Sequence, residues 1–158
     1  MIVVADAGPI LHLHWIGCLS WGLPATKIHV VEQVWLEIAQ HAPKALEDPR
    51  LERHTETQVD PQLQNRFSLQ LGETAAIGFA LRQQSALLLT DDEAARRACA
   101  TLRLAAVGTI GLVLEAARSK RATIDEARRA LESLPTQGRL HVTRELLARA
   151  IAALDSGT

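Results

Sequence analysis

Aromatic side chains are scarce in this chain, with three Trp, two Phe and no Tyr among 158 residues. A stacking platform for single-stranded nucleic acid needs several exposed rings, so the composition argues against that mode of binding. The core must be built from Leu, Ile, Val and Ala instead. Cysteine is almost as rare: Cys18 and Cys99 belong to no paired motif, which fits reduced thiols in a cytoplasmic protein. No apolar run approaches membrane-spanning length, and MIVVADAGP has no basic segment ahead of its short apolar stretch. A membrane anchor and a signal peptide are therefore not expected.

Several catalytic patterns are missing too. Gly8, Gly72 and Gly108 stand apart and form neither a P-loop nor a dinucleotide fingerprint. No serine occupies a nucleophile elbow. Position 8 is Gly, where an aspartyl-phosphate phosphatase would carry a second Asp, and the Asp91–Asp92 pair comes too late for a phospho-receiver. The six histidines are scattered, and His12 and His14 alternate, so on a helix they do not share a face. That pattern argues against a zinc site.

What the chain does have is apolar content of 47%, ordinary for a globular protein, and a length that suits one domain with a sizeable core. Its net charge of −1 hides an uneven distribution. Residues 1–94 carry 6 Lys+Arg against 12 Asp+Glu, whereas residues 95–158 carry 11 against 6. An acidic half followed by a basic half suits a metal site beside a phosphate-facing surface. Solvated helix faces would account for the late arginines equally well.

Short apolar runs at Ile2–Ala5 and Ala86–Leu89 predict buried strands, with weaker strands at Lys27–Val30 and Ala105–Val107. Helices are expected over Ile10–Leu19, Val31–Gln40, from Gly72 through Ala80, Asp91–Leu102 and Ile110–Arg121. Residues 43–61 carry three prolines and predict a loop or a short edge strand. Strands alternating with helices favour a mostly parallel α/β sheet. After Ile110 the pattern is helical only. Thr123 and Glu126 form a capping box, and Leu146–Leu154 stripes a last helix, so the tail reads as a helical hairpin.

Carboxylates mark the ends of these elements: Asp6 and Asp91–Asp92 follow strands, Glu73 opens a helix, and Glu37 borders an apolar stripe. Ligands of open α/β sheets bind beyond the carboxyl ends of the strands. Negative charge gathered there is unfavourable without a cation, and hard oxygen donors suit Mg²⁺ or Mn²⁺. Each residue also has a purely local explanation. Asp6 suits an Asx turn before Gly8-Pro9, either aspartate of the pair suits an N-cap, Thr90 and Glu93 match a capping box, and Glu73 complements a helix dipole. Periodicity does not choose between Glu32 and Glu37.

The segments VVADAGPILHL, VVEQVWLEI, LGETAAIGFAL, LLLTDDEAARRA and VGTIGLVLEA, in that order, resemble the PIN-domain family. The nearest likeness is to its prokaryotic branch related to VapC-type toxins. The resemblance covers residues 1–120, expected as the nuclease domain, and residues 121–158 resemble that branch's helical extension of the same domain. It implies a three-layer α/β/α sandwich around a mostly parallel sheet, and an Mg²⁺- or Mn²⁺-dependent endoribonuclease acting with a cognate antitoxin as partner. A homodimer is expected as well.

By motif position, Asp6 resembles the first acidic ligand, Glu37 the second and Glu73 the third, where many relatives have Asp. The Thr-x-Asp pattern selects Asp92 as the fourth, with Asp91 retained beside it. The resemblance implies that Asp6 and Asp92 or Asp91 hold the metal, that Glu73 completes the site through water, and that Glu37 orients or deprotonates the nucleophile. Thr90 would support the ligands with its hydroxyl, and Arg96 and Arg97 would meet RNA phosphates. Two departures stand out. The near-neutral charge leaves RNA contact to the basic later half, and Glu73 has a longer arm than Asp. Rival expectations are a catalytically weak PIN-fold RNA-binding or scaffold protein, and a DNA-directed or structure-specific nuclease.

Overall fold

Ile2–Ala5 is apolar at every position, and such a strand needs cover on both faces. In the computed structural model, which describes residues 1–55 and 58–157, this run is β1, the central strand of a five-stranded sheet. The other strands are β2 (Ile28–Val31), β3 (Leu51–His54), β4 (Ala86–Leu89) and β5 (Ala105–Val107). Every pairing is parallel and the order is β3-β2-β1-β4-β5. The chain thus builds outward to β2 and β3 on one side of β1 and to β4 and β5 on the other. A crevice opens between β1 and β4 at their carboxyl ends.

Helices cover both faces in a three-layer α/β/α arrangement. One group contains α4 (Pro61–Phe67), α5 (Leu71–Leu81) and α6 (Glu93–Thr101), which pack on one another. A second contains α1 (Ala7–Trp15), the single turn α2 (Leu19–Gly22) and α7 (Thr109–Arg118). Between them, α3 (Glu32–His41) touches both α1 and α5. The core is aliphatic, with Val4, Ile10, Leu13, Ile28, Val30, Ile77 and Leu88 fully buried.

The structure adjusts several expected boundaries. The first helix begins at Ala7, not Ile10, because the Asp6 side chain caps it and Pro9 falls in the first turn, where its missing N–H costs nothing. It also stops early. Gly17 takes φ +71°, a left-handed conformation that closes the helix, and α2 restarts separately. Within 43–61, Pro43–Glu47 forms a 3-10 turn and Leu51–His54 an edge strand, while residues 56–57 lie outside the described residues. Helix α4, for which no periodic stripe speaks, starts at Asp60-Pro61, with Asp60 Oδ1 accepting the Gln62 N–H at 2.9 Å.

The tail forms α8 (Ile124–Ser133) and α9 (Arg144–Asp155), packed on each other and on α7. The expected capping box is present: Glu126 Oε2 accepts the Thr123 N–H at 2.7 Å and Thr123 Oγ1 accepts the Glu126 N–H at 3.1 Å. Leu131 and Leu134 are fully buried in the common core. The segment between α8 and α9 returns to α1, where His12 Nδ1 meets the Gly138 carbonyl at 2.5 Å.

Candidate active site

The register of β1 against β4 sets Ala5 opposite Leu89, so the next residues, Asp6 and Thr90, leave the sheet side by side. The ladder runs one step further, as the Asp6 N–H donates to Leu89 O at 2.9 Å and the Thr90 N–H to Val107 O at 2.9 Å. Asp6 is buried and spends one acceptor site on each oxygen. Its Oδ1 accepts the Ala7 N–H at 2.9 Å and its Oδ2 the Thr90 hydroxyl at 3.1 Å. Thr90 Oγ1 also accepts the Asp92 N–H at 3.2 Å, so one hydroxyl links the two aspartates. The capping box expected of Thr90 and Glu93 does not form, because that hydroxyl is committed to Asp6 and Asp92.

Asp6, Glu37, Glu73, Asp91 and Asp92 all line one open cleft of about 290 Å³. Glu37 reaches it from α3, beside Gly72 in the first turn of α5. Glu32 lies elsewhere, held by Arg53 through two hydrogen bonds of 2.8 and 2.7 Å. Glu73 Oε2 accepts the Gln70 N–H at 2.9 Å in a capping box with Gln70, a tie beyond the dipole effect its position suggested. Asp92 caps α6 through Oδ1, which accepts the Ala95 N–H at 2.8 Å. Asp91 uses both oxygens on Thr109, at 2.7 Å to its N–H and 2.6 Å to its hydroxyl. That brace needs a bare backbone beside it, since a Cβ on Gly108 would stand 2.7 Å from Asp91 Oδ1 and from Arg96 Nη1.

The cleft is electrostatically unfinished. Asp6 is raised from 3.8 to about 7, first by burial and then by the neighbouring charges of Glu73 and Glu37, against the lowering effect of the Ala7 N–H. Glu73 is also raised, by burial and by Asp92 and Glu37. A cation between these groups would remove both the repulsion and part of the burial penalty. Asp6, Glu73 and Asp92 offer carboxylate oxygens, which fit a hard divalent ion.

Basic residues reach the same place. Arg139 and His141 line the cleft from the α8–α9 connection, and His12 lines it from α1, 3.7 Å from Asp91 Oδ2. No motif points to the two tail residues, which approach only through tertiary packing; the basic bias of the later half is their one trace. A second groove of about 610 Å³ shares Asp91, Leu140 and His141 with the cleft and is lined further along by Arg96 and Arg97. Arg97 pairs with Glu93 at 2.8 Å on the surface.

A family model described as a PIN domain matches residues 2–156. The chain belongs to the PIN-domain family. No curated protein and no solved structure matched it. PIN domains are generally nucleases that use divalent metal ions and act on nucleic acids, so the acidic cleft has nuclease-type chemistry as its context. The PIN-domain match runs through α8 and α9, the helices that bring Arg139 and His141 to the cleft. Among the described residues, no helix of this PIN domain is long and apolar enough to cross a membrane.

Proposed function

We propose that this PIN domain is an endoribonuclease dependent on Mg²⁺ or Mn²⁺, of the VapC-like branch, and the toxin of a toxin–antitoxin pair. The observation that carries the reading is the buried Asp6 carboxylate at the β1–β4 crevice, raised by the charges of Glu73 and Glu37 and sharing its cleft with Asp91 and Asp92. Asp6 and Asp92 would hold the metal directly, and Glu73 would complete the site through water. Asp92 is preferred to Asp91 because one of its oxygens stays clear of its capping bond, whereas both oxygens of Asp91 brace Thr109. When bound, the ion supplies charge neutralisation and a lowered pKa for attacking water.

The chain's own residues supply the remaining functions. Glu37 orients that water and takes its proton, so that attack on phosphorus runs in line with the departing 3′ oxygen. Thr90 fixes the Asp6 carboxylate and ties it to the backbone of Asp92. Arg139 and His141 at the rim, with Arg96 in the adjoining groove, meet phosphates; Arg97 serves mainly its ion pair with Glu93. Residues 1–120 act as the nuclease unit and 121–158 as an extension of the same domain. The protein works in the cytoplasm as a homodimer, held in check by an antitoxin.

The test is cleavage of RNA and single-stranded DNA panels with and without Mn²⁺ or Mg²⁺, beside Asp6→Asn. Metal-dependent RNA cleavage that the variant loses supports the reading. Absence of cleavage would turn it toward an RNA-binding or scaffold protein, and cleavage confined to DNA toward a DNA-directed nuclease.

A further inference from the structure

The histidines that look scattered along the sequence are not all scattered in space. The parallel register of β2 and β3 aligns His29 with Glu52 and Val31 with His54. Side chains alternate along a strand, so His29, Glu52 and His54 emerge on one face of the sheet. Phe79 of α5 lies against both imidazoles, its ring centre 5.9 Å from that of His29 and 4.7 Å from that of His54. None of the three residues lines the acidic cleft.

Their ligand atoms converge. His29 Nδ1 lies 2.7 Å from His54 Nε2, and Glu52 Oε1 lies 4.0 Å from the first and 3.6 Å from the second. A tetrahedral zinc ion with bonds of about 2.0–2.1 Å spaces adjacent ligand atoms by roughly 3.3 Å. Closing on such an ion requires the two rings to part by about half an ångström and the carboxylate to swing in by a similar amount, within the reach of rotamer adjustment.

Lys27 helps to aim the carboxylate. Its Nζ holds Glu52 Oε2 at 2.6 Å, which leaves Oε1 as the oxygen facing both rings. An outer partner that orients a ligand in this way is a common feature of metal sites. The three side chains are partly exposed, at 18%, 39% and 27% for His29, Glu52 and His54, so a fourth position opens to water.

We propose that His29, Glu52 and His54 form a second metal site, separate from the acidic cleft and suited to a borderline transition ion of the zinc class. Two imidazoles and one carboxylate favour such an ion over Mg²⁺, which prefers oxygen donors and keeps much of its water. Bound there, it would staple the edge strand β3 to β2. Each imidazole would present a lone pair to the ion, with its proton on the ring nitrogen pointing away. The shared N–H between the rings is therefore replaced by a tautomer shift, without net loss of protons when both rings are neutral.

The experiment is calorimetric titration of the whole metal-stripped protein with Zn²⁺ in excess Mg²⁺, with Co²⁺ absorption as a spectroscopic reporter. One Zn²⁺ per chain is expected, not displaced by Mg²⁺, together with a rise in Tm. His29→Gln and His54→Gln should each weaken binding by at least about 100-fold, and Lys27→Ala by about 10-fold. Asp6→Asn should leave it unchanged. Circular dichroism of each metal-free variant checks folding, and either histidine variant suffices if the other misfolds. The proposal is overturned if Zn²⁺ does not bind, if binding survives both histidine substitutions, or if Asp6→Asn removes it. Those results would leave a plain hydrogen-bonded histidine pair or an ion in the acidic cleft.

Discussion

Two polar clusters sit on the same sheet and treat their carboxylates in opposite ways. At the central crevice, burial and neighbouring negative charges raise Asp6 to about 7. At the edge, the hydrogen bond from Lys27 holds Glu52 below its ordinary value. Asp6 takes its hydrogen bonds from the neutral Ala7 N–H and Thr90 hydroxyl, whereas Glu52 is paired with the Lys27 ammonium. The charges of Glu73 and Glu37 raise Asp6, so a cation placed among them would be stabilised, whereas Glu52 is already balanced by Lys27 and is free to act as an aimed ligand. Donor chemistry separates them further, with the carboxylates of Asp6, Glu73 and Asp92 at the centre and two imidazoles with one carboxylate at the edge.

The sharpest way to break the comparison is by activity. Asp6→Asn should reduce RNA cleavage by on the order of 10³-fold, while His29→Gln changes it by less than about threefold. Equal losses, measured as kcat/KM on one RNA substrate, would show that the two clusters are not functionally separate.

A second contrast concerns pH. Because Asp6 is raised in the folded state, its share of stability is present below about pH 4 and is lost as pH climbs toward about 7. Asp6→Asn lacks this penalty. In metal-free protein the variant's stability advantage should therefore grow across that window, reaching at most about 4 kcal/mol, and Mn²⁺ should shrink it. Denaturant melts at several pH values give the answer, and a flat difference would refute it.

The adjacent aspartates should also part company. Asp91→Ala removes both partners of Thr109 and should cost about 1–3 kcal/mol of stability. Asp92→Asn keeps a competent N-cap, so its stability should change by only a few tenths of a kcal/mol while cleavage is lost. The smallest effect expected is from Lys27→Ala, which should leave the unfolding midpoint essentially where it was, since its ion pair is exposed.

How much of this was legible beforehand depends on the range of the interaction. Apolar runs disclosed β1 and β4, and the Thr123–Glu126 spacing disclosed the start of α8, because strand burial and helix capping are written over a few neighbouring residues. Ordered motifs drew attention to Asp6, Glu37, Glu73 and Asp92, and the fold gathers them in one cleft. Local reasoning set cap against ligand, but Asp92 uses a single oxygen to cap and the two roles need not compete. Arg139, His141 and the His29–His54 pair were invisible for one shared reason. Their meeting is set by strand register and tail packing, and neither leaves a mark in a short stretch of sequence.

The contact between His12 and Gly138 has a consequence in time as well as in space. The ribosome makes the last of the cleft's carboxylates at residue 92 and reaches Arg139 and His141 only after roughly another 50 residues. At about 5–20 residues per second, that interval lasts on the order of several seconds. During it, the growing chain carries the acidic wall without the basic rim. Assembly of the cleft is thus coupled to synthesis of the tail, and an unfinished chain lacks the groups that would draw a phosphate backbone toward its carboxylates.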